Sequence, residues 1–192
     1  MASGTGSLLE SLLARVDQGA PFRIVALVVD RKCRAADIAV AHDIPLVDLR
    51  VADHPDRAAW DARLTERVAE HAPAWVVTAG FMKILGPTFL SRFGGRIVNS
   101  HPALLPSFPG AHGVADALAH GVKVTGATVH LVDAGVDTGP ILAQEPVPVR
   151  ADDTAETLHE RIKSVERVLL ADVVTALVTR GVVIDGRKAD IP

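Results

Sequence analysis

The sequence predicts an α/β fold with a mainly parallel sheet and an antiparallel portion. Three observations lead there. Short β-branched runs such as "FRIVALVVD" and "AWVVTAG" alternate with segments of helical periodicity. The alternation persists along most of the chain, as strand–helix–strand crossovers require. Two longer, partly alternating runs then follow one another, in the manner of antiparallel strands.

The elements follow in order. Ser7 to Gln18 carries Leu8, Leu9, Leu12, Leu13 and Val16 at helical spacing, with Gly19 as a stop. Phe22–Asp30 reads as a buried strand, the alanine-rich Arg34–His42 as a helix, and "IPLVDLR" as a second strand. Asp56–His71 is amphipathic, with Trp60, Leu64 and Val68 four apart. Ala74–Gly80 is the third strand, Gly86–Phe93 a short helix and "GRIVNS" the fourth strand. Ala111–His120 is a helix closed by Gly121, and "KVTGATVHLVD" and "PILAQEPVPV" are the longer strands. Asp153 and Glu156 suggest a capping box for a long helix with Leu158, Ile162, Val165, Leu169 and Val173 on one face. "GVVIDGRK" reads as a closing strand.

Composition narrows the function classes. The 192 residues suit one domain, 1–192, with no repeat or linker to divide it. A net charge of −3 offers no basic footprint for nucleic acid. No apolar run reaches the ~20 residues of a membrane span, and a signal peptide's charged and apolar regions are missing. Cys33 is the one cysteine, which excludes an internal disulfide and suits a cytoplasmic location.

Four stretches could carry chemistry. In "SGTGSLL", Gly4 and Gly6 precede a helix whose free N–H groups favour a phosphate. Leu9 stands where a dinucleotide fingerprint needs a third glycine, and the lysine of a P-loop is missing. The alternative is a tight turn with Ser3 or Thr5 as N-cap. In "IVNSHP", Pro102 keeps His101 extended, so Asn99 and His101 face one side and Ser100 the other. That separates Ser100 from His101 as a nucleophile–base pair. It brings together an amide and an imidazole able to hold an oxyanion and move a proton.

In "VDAGVDTGP", spacing alone favours two turn-forming aspartates, Asp133 and Asp137; a carboxylate set against His101 is the alternative. No calcium loop is formed, and His101, His112, His120 and His130 show no zinc pairing, so no metal is expected. In "AGFMKIL", Phe81, Met82, Ile84 and Leu85 are either core or the wall of an apolar pocket, while Lys83 must reach water or an anion.

Together these stretches resemble the folate-dependent formyltransferases. "NSHPALLPSFPGAHG" is similar to that family's N-x-H-P-[SA]-L-L-P segment, "AGFMKIL" to its A-G-[FY]-M-[RK]-I-L, and "ATVHLVDAGVDTGPIL" to its T-V-H-x-V loop and D-x-G-P ending. The glycine loop and single-domain length resemble the glycinamide ribonucleotide formyltransferases within it. The resemblance implies a single-domain Rossmann-like fold. It also implies transfer of a formyl group from the cosubstrate 10-formyltetrahydrofolate to the amine of glycinamide ribonucleotide, through a tetrahedral intermediate.

By the same resemblance, Asn99, His101 and Asp137 are catalytic. Folate contacts fall to Arg57, Met82, Lys83, Ile84, Leu85, Asn99 and the loop Asp133, Ala134, Gly135, Val136, Asp137. Ribotide contacts fall to Gly6, Ser7, Leu8 and Glu166. His130 and Thr128 stand behind the site. Relatives that formylate methionyl-tRNA carry a further C-terminal domain and a basic surface, and formyltetrahydrofolate deformylases carry an N-terminal regulatory domain. A non-catalytic phosphate-binding protein is the reading from another class. Assembly is expected to be monomeric or homodimeric.

Three departures from the family pattern stand out. Leu8 follows Gly6 and Ser7 where many relatives have Asn, and Lys83 stands where Arg is common, so a bidentate side-chain contact is lost there. The third is at the front: the expected first strand is absent before the glycine loop. "MAS" resembles its tail, which predicts an upstream in-frame segment encoding a short apolar strand.

Overall fold

Helix and strand alternate as the periodicity predicts, with shorter strands than expected. The computed structural model describes residues 1–192 as two units, Met1–Val98 and Asn99–Pro192. The fold is α/β with parallel and antiparallel pairings and no closed barrel.

The first unit opens with Met1–Ser3. Ala2 bridges in parallel to Val29, its N–H donating to Val28 O at 2.9 Å. On the other side Ala79 N donates to Met1 O at 2.8 Å and Ser3 N to Gly80 O at 3.0 Å. Helix α1 (Ser7–Asp17) buries Leu8, Leu9, Leu12 and Leu13. Neither Ser3 nor Thr5 caps it. Its N-cap is Gly6 at φ +80°, where a Cβ would meet Ile38 Cδ1 at 2.7 Å, so both backbone angle and close packing demand glycine.

Strand β1 (Leu27–Val29) is shorter than the apolar run from Phe22, because laddering begins only where Leu27 N meets Pro45 O. Ile24 packs on the core without joining the ladder. Helix α2 (Arg34–Ala41) and strand β2 (Leu46–Asp48, parallel to β1) follow. A 3-10 turn at Val51–Asp53, which periodicity does not reveal, leads to α3 (Arg57–Ala69), capped by the Asp56 carboxylate on Ala59 N–H at 2.7 Å. Strand β3 (Val76–Thr78), α4 (Pro87–Phe93) and the start of β4 (Ile97–His101) complete this unit.

The second unit begins within β4. Helix α5 (Gly113–His120) starts two residues later than predicted. Strands β5 (Val124–Leu131) and β6 (Ile141–Pro148) pair antiparallel, from Val124↔Pro148 to His130↔Ile141. Helix α6 (Ala155–Arg180) covers them with Leu158 and Ile162, which form a core with Val114, Ala127 and Val147. Val165 and Leu169 of the predicted stripe are only half-buried at its margin, while Val173 is buried.

The capping box is Thr154–Thr157, one register beyond the predicted Asp153–Glu156. Asp153 instead accepts from Arg150 N–H at 2.7 Å and from the Arg161 guanidinium. The closing segment is a hairpin rather than one strand: β7 (Val183–Asp185) and β8 (Lys188–Asp190) turn through Gly186 at φ +59° and Arg187. Gly186 at the first loop position is the turn signal for it.

Candidate active site

Strand β4 ends on Asn99, Ser100 and His101 after two fully buried apolar residues, Ile97 and Val98. Strand alternation sends their side chains two ways. Asn99 Nδ2 lies 3.4 Å from Asp137 Oδ1, and His101 Nδ1 lies 3.3 Å from Asp137 Oδ2. Ser100 turns to the other side and donates to Glu166 Oε1 at 2.7 Å. The structure therefore brings Asn99, His101 and Asp137 together, and it settles the open choice for Asp137: this aspartate meets the histidine.

Both nitrogens of the His101 ring face oxygen acceptors. Nε2 is 2.8 Å from Phe108 O, so it carries a proton and donates. Nδ1 faces the Asp137 carboxylate. His130 is wholly buried behind this group. Its Nδ1 donates to Leu131 O at 2.9 Å, and its Nε2 sits 3.2 Å from Asn99 Nδ2 and 3.5 Å from Asp137 Oδ1. Asn99 Nδ2 thus lies between His130 Nε2 and Asp137 Oδ1.

Asp137 is the hub. Its backbone is left-handed, with φ +54°, and its side chain is 13% exposed. Besides the three side chains it accepts from Gly110 N–H at 2.8 Å. Burial pushes its carboxyl up, but His130, the Gly110 N–H and the neighbouring His101 outweigh that and hold it at about 2. It is an anion at neutral pH. Asp133 keeps the turn-forming role: it accepts from Gly135 N–H at 3.0 Å and Thr138 Oγ1 at 2.6 Å, which shapes the loop that presents Asp137. Ala134, Gly135 and Val136 are exposed on that loop.

The proline-rich segment after β4 is tied down from β5 and β6. Thr128, fully buried, donates to Ala103 O at 2.7 Å and accepts from Leu105 N and from Gln144 Nε2, each at 3.0 Å. Gln144 also donates to Leu105 O at 2.7 Å. These bonds use the threonine's one donor and two acceptor sites. They fix the segment that supplies Phe108 O and Gly110 N–H. Sequence reasoning missed Phe108, Gly110 and Gln144; a backbone carbonyl has no residue signature, although the Pro109–Gly110 turn signal was available.

Glu166, on α6, is 5% exposed, and burial raises its carboxyl while the Ser100 hydroxyl works against that rise.

The remaining predicted residues belong to the first unit. Gly6, Ser7 and Leu8 form the start of α1, with Leu8 buried. Met82 and Ile84 are 63% and 66% exposed, but Leu85 is core. Lys83 reaches an anion within the protein, Asp30 Oδ2, at 3.1 Å. Arg57 donates to Ile84 O and lies over the Trp60 ring at 4.3 Å. No group of three or more His, Cys, Asp or Glu side chains is arranged to hold a metal ion, and no helix is long and apolar enough to cross a membrane.

A histidine held between a buried carboxylate and a backbone carbonyl, beside an oriented amide at a strand's C-terminal end, is suited to proton transfer and oxyanion binding. Comparison with known proteins agrees with that chemistry. Residues 1–174 match the formyl transferase family, and the chain belongs to it. A phosphoribosylglycinamide formyltransferase of Mycobacterium tuberculosis is 65% identical over 189 residues, covering 98% of this chain and 88% of that protein. The enzyme of the same name from Bacillus subtilis is 38% identical, covering 92% and 91%. The crystal structure of glycinamide ribonucleotide transformylase 1 from Symbiobacterium toebii superposes with a TM-score of 0.96 at 38% identity, over 99% of this chain and 91% of that one.

Proposed function

We propose that this protein transfers the formyl group of 10-formyltetrahydrofolate to the amine of glycinamide ribonucleotide, a step of de novo purine synthesis. The observation that carries the reading is the convergence of Asn99, His101 and His130 on Asp137 in a formyl transferase family member.

The ribotide's neutral amine attacks the formyl carbon, an N–C bond forms, and the carbonyl oxygen becomes an oxyanion. His101 donates to that oxygen from Nε2, the nitrogen turned away from Asp137, leaving Phe108 O to do so. The Asn99 amide adds a second donor by releasing one of its two N–H contacts. Asp137 keeps the ring in its doubly protonated form and assists loss of the amine's proton through water. The intermediate collapses by breaking the bond to N10 of the folate, which takes up a proton.

In this reading Arg57, Met82, Lys83, Ile84, Leu85 and residues 133–137 contact folate. Gly6, Ser7 and Leu8 take the ribotide phosphate through backbone N–H groups, and Glu166 takes its ribose hydroxyls. Residues 1–192 act as one formyltransferase domain, monomeric or homodimeric, in the cytoplasm. No metal, nucleic acid or membrane takes part. The test is an assay of purified protein with both substrates, following formylated ribotide by mass spectrometry. Product that depends on both substrates is expected, and its absence overturns the reading.

A further inference from the structure

We infer that Ser100 is a positioning residue for the ribotide, acting through Glu166 by the hydrogen bond between its hydroxyl and Glu166 Oε1. The inference rests on the reading of Glu166 as the ribose contact.

The geometry is specific. Ser100 and Glu166 are 8% and 5% exposed, and their oxygens are 2.7 Å apart, a well-formed O–H···O hydrogen bond. The two residues are 66 positions apart, on β4 and α6, so tertiary structure alone makes the pair. A glutamate side chain on a helix has several rotatable bonds; a bond to one oxygen from a neighbouring strand fixes its carboxylate plane. One hydroxyl uses one of roughly four lone-pair directions of a carboxylate, which leaves capacity for the vicinal hydroxyls of a ribose.

Charge reinforces the point. Burial favours the neutral form of Glu166, which accepts hydrogen bonds less strongly. Three neighbours oppose that. Lys163 and Arg167 sit on α6 itself, so Ser100 is the one supplied by another element. Strand β4 then serves two purposes by its period of two. Asn99 and His101 face the reacting groups, and the residue between them steadies the carboxylate that seats the substrate's sugar.

The test compares Ser100→Val with Ser100→Thr, which differ by a methyl for a hydroxyl at similar volume and both suit a strand. The Val variant should raise KM for the ribotide about five- to tenfold, as expected for loss of one ordinary hydrogen bond. Its kcat should stay within about twofold and its folate KM should not change. The Thr variant should restore the ribotide KM. In a Glu166→Ala background the Ser100→Val effect should vanish, because the acceptor that the hydroxyl holds is gone. An unchanged ribotide KM in Ser100→Val overturns the inference. So does a KM effect that persists undiminished beside Glu166→Ala, since that makes Ser100 merely structural. Failure of the wild-type protein to formylate the ribotide overturns the functional reading instead, so the two failures are separable.

Discussion

Asp137 shows how much one residue can be asked to hold. A left-handed backbone is uncommon outside glycine, asparagine and aspartate, and it turns this side chain back toward β4. There the carboxylate meets two histidines, an amide and a backbone N–H. His101→Ala removes the proton donor and Asp137→Ala removes the anion that holds the ring. Each variant is expected to lower turnover by about two to three orders of magnitude. Folate affinity should stay within about tenfold, because Met82 to Leu85 and residues 133–136 keep their proposed contacts in both variants. Single-turnover formyl transfer beside equilibrium folate binding checks both numbers. Turnover within tenfold of wild type in either variant contradicts the assigned roles.

At the scale of the element, helix α4 shows tertiary structure supplying what local sequence lacks. Its N-cap is Gly86, which has no side chain to offer. The buried carboxylate of Asp61, from α3, takes the N–H groups of Gly86 at 2.8 Å, Thr88 at 2.9 Å and Phe89 at 3.3 Å. A Cβ at position 86 would lie 2.4 Å from that carboxylate, so the glycine is required by close approach. Asp61→Ala leaves three helix-terminal donors unpaired and is expected to cost about 2–3 kcal/mol in urea denaturation. A loss below about 0.5 kcal/mol would mean that water replaces the cap. Periodicity located α3 and α4 well but gave Asp61 no role, because spacing along one helix says nothing about the end of another.

Across the whole molecule, acid should weaken the fold through paired carboxylates. Arg161 holds the Asp153 carboxyl well below the usual range, and Asp137 titrates at about 2. A carboxyl depressed in the folded state stabilises it above the unfolded value of 3.8, and that contribution is lost as pH falls toward the folded value. Glu166, raised by burial, runs the other way: its contribution is present at low pH and is lost as pH rises. Asp153→Asn should therefore lower stability at pH 7, and the gap to wild type should close as pH drops below about 4. A gap that stays constant with pH would show that Asp153 acts only as a neutral hydrogen-bond acceptor.

The sequence by itself determined the fold class, nearly every helix and the shared direction of Asn99 and His101. Those depend on local periodicity and on Pro102, which act within a few residues. It overextended β1, put the capping box one register early and read a hairpin as one strand, because ladder ends and cap registers depend on partners elsewhere in the chain. Through its resemblance to a known family it also indicated the chemistry. Only the tertiary structure decided which partner each polar group has: Asp137 for His101, Phe108 O for the other ring nitrogen, and Glu166 for Ser100. A hydrogen bond requires atoms within about 3 Å in a fixed direction. Residues 7, 36 and 66 positions apart meet that requirement only once the strands and helices have packed.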